Sequence, residues 1–119
     1  MKVECIGTIV GAALLGAACA GAPKPVNQLA STEAALRAAR EVGAEQQPEA
    51  ALHTKLASEQ LQRAQQLMQD DDNLEASRVL ARAKADAELA LAMARRAEAQ
   101  TELNQARSSD STPTVGMVR

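Results

Sequence analysis

A few side chains in this sequence could do chemistry. His53 is the only histidine, and imidazole is the side chain suited to moving a proton near neutral pH. A nucleophile for it to activate would have to be a serine or threonine, because both cysteines, Cys5 and Cys19, lie in the N-terminal apolar segment. Its place on the apolar side of a helix reads instead as a partly covered packing residue. Asp86 and Glu88, beside Arg82, Lys84, Arg95 and Arg96, imitate a paired-carboxylate site, but carboxylates two positions apart on a helix point to different sides. The run Asp70-Asp71-Asp72-Asn73 could attract a divalent cation, yet a calcium loop spreads its oxygens over a longer segment with a glycine turn. It reads better as a turn, with Asp72 and Glu75 spaced as a helix cap. A lone histidine excludes a histidine-based metal cluster, and no glycine-rich phosphate loop or nucleophile elbow occurs. The expectation is a non-enzymatic protein with no catalytic residue, cofactor or metal.

Cys19 carries a different chemistry. Lys2 is followed by the apolar stretch Ile6 to Ala18, which closes on Leu15-Gly16-Ala17-Ala18-Cys19. That arrangement has the parts of an export signal and is short and Gly/Ala-rich for a membrane span. The closing run resembles the lipobox of bacterial lipoproteins. The resemblance implies removal of residues 1–18 as a signal peptide and diacylglycerol and palmitate-type acylation at Cys19. Ala20, rather than Asp, resembles the residue that follows the cysteine in lipoproteins sorted to the outer membrane. Ala18-Cys19-Ala20 is also a small-x-small site, and cleavage there would release a soluble periplasmic protein. Both readings place the chain in the cell envelope. Residues 19–26, with Pro23 and Pro25, cannot continue a helix and read as a short tether.

The elements behind the tether are read from spacing. Hydrophobic residues make up 46% of the chain and none is aromatic, so any core must be built from Ala, Leu, Val and Met, which bury less area than rings. A net charge of −2 gives no positive field for nucleic acid, and base stacking has no ring to use. A first helix is expected from Asn27 to Gln46, with Gly43 marking its end. Pro48 and Glu49 open a second, to Gln69. A third runs from about Leu74 to Arg107 without Gly or Pro, roughly 50 Å against roughly 33 Å for the second. Its last third therefore overhangs unless something covers it. Residues 108–119, rich in Ser and Thr, are expected to form a disordered tail.

Along the third helix, Ala76, Leu80, Ala83, Ala87, Ala90, Ala94 and Ala97 are spaced 4-3-4-3-4-3. This methyl-lined stripe is a helix-contact surface that permits close approach. Around Ala87 to Ala94 nearly the whole circumference is apolar, which suits burial against two neighbours. The fold class is all-α: a three-helix bundle built on an antiparallel hairpin with a long Ala-rich third helix, occupying residues 27–107.

Pro48 to Ala94 also carries a family likeness. Its Ala64-x-x-Leu67 turn, its acidic loop and its Leu80 to Ala90 run, above all Ala85-Asp86-Ala87-Glu88-Leu89-Ala90, resemble the bacterial domain of unknown function 4398. The resemblance implies an exported helical protein or envelope lipoprotein with no assigned catalytic residues. Some members are joined to a peptidoglycan-binding domain, and that activity does not carry over to these residues. One helical hairpin is similar to a tetratricopeptide unit, although such solenoids need about three stacked repeats. The functional expectation is a lipid-anchored envelope protein with a structural or adaptor role, contacting the membrane through its lipid and either itself or another helical envelope protein. The alternatives are a helical spacer similar to murein lipoprotein, though here ending in Arg119 where that protein uses lysine, and a soluble periplasmic protein that binds a peptide or small ligand.

Overall fold

A computed structural model describes residues 21–111. Residues 1–20, which hold the expected signal peptide, Cys5 and Cys19, and residues 112–119 lie outside the described residues.

Pro25 ends the non-helical residues 21–25 and its carbonyl accepts from Leu29 N at 3.0 Å, starting α1 at Val26–Glu41. The expected first helix stops short of Gln46. Gly43 sits at φ 78°, the left-handed conformation that terminates a helix at least cost in glycine, and Ala44–Gln46 then form a separate 3-10 turn. Helix α2 is Pro48–Gln69, with proline in its first turn where a missing N–H leaves nothing unpaired. It closes on Asp71 at φ 60°, with Asp72 N bonding back to Leu67 O at 2.9 Å. This is a Schellman-type stop with aspartate, not glycine, in the left-handed place. Asp72 then caps α3, Asn73–Asp110, its carboxylate accepting from Glu75 N at a long 3.5 Å.

Helix α3 runs three residues beyond the expected end, so the start of the expected tail is helical. Ser108 and Ser109 hydroxyls donate to the carbonyls of Gln105 and Ala106, both at 2.8 Å, bonding back onto the helix's own last turns.

The three helices form a bundle with α3 in the middle. Helix α2 is antiparallel to it: Ala50 meets Ala90 and Ala94 at one end, Ala57 meets Ala87, and Ala64 and Met68 meet Ala76 and Leu80 at the other. Helix α1 runs parallel to α3, with the Gln28 side chain on Ser77 at its start and Ala39 near Ala90 at its finish. Leu80 and Thr32 are the largest fully buried side chains, which shows how thin the core is. The Thr32 hydroxyl is satisfied by Gln28 O at 2.8 Å and lies 3.4 Å from Leu80 O across the helix interface. Thr54 bonds Ala50 O in the same way at 2.8 Å. Beyond Ala97 the same 4-3-4 positions become Thr101, Asn104 and Ser108, so the apolar seam that recruits α1 and α2 ends there. Residues 98–111 run on past this seam, all of them exposed, with Thr101 and Gln105 still bordering the Val42 to Gln47 turn and the last residues projecting beyond it.

Candidate functional site

A polar seam crosses the α2–α3 interface. His53 and Gln60 stand two turns apart on α2 and share a face, and the antiparallel register brings Asp86 of α3 opposite them. His53 Nδ1 donates to Asp86 Oδ1 at 2.9 Å, and Gln60 Nε2 donates to Asp86 Oδ2 at 2.8 Å. An ionised carboxylate can only accept, which places the ring proton on Nδ1. The side chains of His53 and Asp86 are 24% and 22% exposed, so the pair sits at the rim of the interface, partly sheltered from water. A carboxylate that orients an imidazole is the supporting half of a general-base arrangement. Among the described residues, no hydroxyl or thiol is hydrogen-bonded to the ring. What the seam does chemically, as it stands, is tie two helices together. Gln60 Oε1 is buried without a partner, as is Asn73 Oδ1.

Asp86 and Glu88 do point to different sides. Glu88 is exposed and pairs with Lys84 at 3.7 Å, whereas Asp86 turns inward. The meeting of His53, Gln60 and Asp86 went unforeseen, since it depends on the register between two helices. A partial signal existed in the His53–Gln60 spacing of seven, which puts two polar groups on one face.

The alanine stripe lies inside the molecule. Ala76, Leu80, Ala83, Ala87 and Ala90 are wholly buried, Ala94 is 3% exposed, and Ala97 is half-buried at the edge. Its buried members pack against the chain's own α1 and α2 and are closed to a second molecule. The acidic loop is exposed, and Lys24 of the tether lies 3.3 Å from Asp71. Among the described residues no group of acidic, cysteine or histidine side chains is placed to hold a metal ion, and no helix is long and apolar enough to cross a membrane. An open groove of about 690 Å³ lies beside the base of the projecting helix, between Pro48 and Glu49 of α2 and Met93, Arg96 and Gln100 of α3.

The family pattern described as Domain of unknown function (DUF4398) matches residues 27–106. The chain belongs to this family. The DUF4398 match begins one residue inside α1 and ends four residues before the end of α3, so it spans all three helices. The His53–Asp86–Gln60 seam and the buried stripe both fall within it. No curated protein and no solved structure matches the chain.

Proposed function

We propose that this DUF4398 protein is a cell-envelope lipoprotein, held by lipid on Cys19, whose three-helix body makes protein contacts and does no catalysis. The observation that carries the reading is the order of segments: an apolar stretch closing on Leu15 to Cys19, a tether with Pro23 and Pro25, and a helical body starting at Val26. Six residues separate Cys19 from that body, enough to lift it off a headgroup layer and too few to let it wander. Ala20 favours the outer membrane, with the body facing the periplasm.

The test is the intact mass of the membrane-extracted protein beside that of a Cys19→Ser variant. The expected result is a mature N-terminus at Cys19 carrying acyl mass, with membrane retention lost in the variant. A chain beginning at Gly21 without added mass, or full retention without Cys19, overturns the lipid anchor and favours a soluble periplasmic protein.

A further inference from the structure

Helix α3 carries a second heptad stripe opposite the buried one, with Ala85 bordering α1 near Thr32 and Arg96 bordering the groove beside Pro48 and Glu49. Ala85, Ala92, Ala99 and Ala106 recur every seven residues, and Leu89, Arg96 and Leu103 fall four residues after the first three of them. All seven positions are exposed, Leu89 at 41% and Leu103 at 46%. The spacing is that of a coiled-coil seam, and the stripe runs from the body of the bundle out along the projecting end. Arg95 and Glu102 flank it on one side. Among the described residues neither has an ion-pair partner.

We propose that this face binds a second copy of the chain, antiparallel, over residues 85–110. Size and charge select that occupant and that direction. With Leu103 set opposite Ala92 of the second copy, Leu89 falls opposite Ala106 and Arg96 opposite Ala99. Each layer then pairs a large side chain with a methyl group, which lets the backbones approach and fills the space between them. The same register sets Arg95 beside Glu102 of the second copy, about 3 Å apart along the axis, and two-fold symmetry repeats the pair. A parallel, in-register pairing would put Arg96 against Arg96 in one layer, where like charges repel, whereas the antiparallel register staggers them into adjacent layers about 4.5 Å apart along the axis. Each copy's α1 and α2 pack on the opposite, buried stripe of its own α3. The two bodies sit at opposite ends of a shared central segment.

This inference rests on the contact-making role proposed above and names its partner and its face. It makes no use of the lipid, so loss of the anchor and loss of pairing are separate results. The full-length chain in mild detergent is examined by sedimentation velocity across a concentration series. Arg95→Glu and Glu102→Arg, both at exposed positions, are each expected to weaken self-association about tenfold, since two ion pairs per dimer become two repulsions. The double reversal R95E/E102R is expected to restore it, with circular dichroism verifying equal helicity throughout. Orientation is read by oxidising a mixture of Ala92→Cys and Leu103→Cys chains in which Cys5 and Cys19 are serine. Disulfides between unlike chains support the antiparallel register, and disulfides only between like chains overturn it. A chain that stays monomeric at every concentration, or a double reversal no better than the single changes, overturns the proposal.

Discussion

Replacing Asp86 by alanine asks whether the polar seam holds α2 to α3. The carboxylate accepts from His53 at 2.9 Å and from Gln60 at 2.8 Å, with the His53 and Asp86 side chains about a quarter exposed. A hydrogen bond to a charged group contributes about 1.5–3 kcal/mol net. Two of them, held near the low end because solvent reaches the rim, come to roughly 3 kcal/mol. Alanine is a better residue than aspartate in a helix interior by about 0.5 kcal/mol, which offsets part of the loss. The net destabilisation expected is about 2.5 kcal/mol, a large share of the roughly 5–15 kcal/mol that holds a small domain folded. For a body of this size the melting temperature falls by roughly 10–20 °C. Thermal and urea unfolding followed by circular dichroism measures it. The cycle with His53→Ala isolates the pair, with a coupling of about 1 kcal/mol or more expected from a direct contact. Asp86→Asn is expected to fall between, because an amide keeps one acceptor for the His53 ring and can turn its NH₂ toward the buried Gln60 Oε1. A loss under about 0.5 kcal/mol for Asp86→Ala, additive with His53→Ala, would refute the tie and mean that water serves these three side chains as well as they serve one another.

Three further substitutions probe the packing and the turn. Ala87→Leu forces three extra carbons between Leu36 and Ala57, where Ala87 is wholly buried, and is expected to cost about 2 kcal/mol or more; Ala81→Leu, on the exposed side of the same helix, is expected to stay within about 0.5 kcal/mol, read from the same melts. Asp71→Gly relieves a left-handed residue at φ 60° and is expected to raise stability by about 0.5–1 kcal/mol, visible as a higher urea midpoint with an unchanged slope, even though the exposed Lys24 pair is lost.

Much of this architecture can be read from residue order. The start of α2 follows from Pro48, whose ring suits the first turn and no later one. The end of α1 follows from Gly43, although the helix stops at Glu41, with Val42 as its cap, before the glycine turns the chain. Which positions of α3 are buried follows from the 4-3 spacing, because that geometry is local to one helix. What covers them is not local. The seven stripe positions would look the same facing another molecule, and only the lengths of α1 and α2 and the reach of their turns bring those helices onto α3. The His53–Asp86–Gln60 seam was hidden for the same reason. Each member, taken alone on its helix, is an ordinary half-solvated polar residue, and only a register between helices makes them a group. The three extra residues of α3 were missed because serine favours caps and turns on average, while here its hydroxyls bond back to the helix's own carbonyls.

The projecting end of α3 also has a thermodynamic meaning. An isolated helix of about a dozen residues hardly forms in water, because its first turn fixes several dihedral angles for one hydrogen bond. Residues 98–110 avoid that step, since they grow from a turn already held by α1 and α2, and each further residue needs only propagation. Their helicity is therefore borrowed from the bundle and fades outward one residue at a time, without a cooperative transition of its own. Amide exchange along this segment should form a gradient that steepens on warming, and any neighbour that grips its tip would turn that gradient into a plateau.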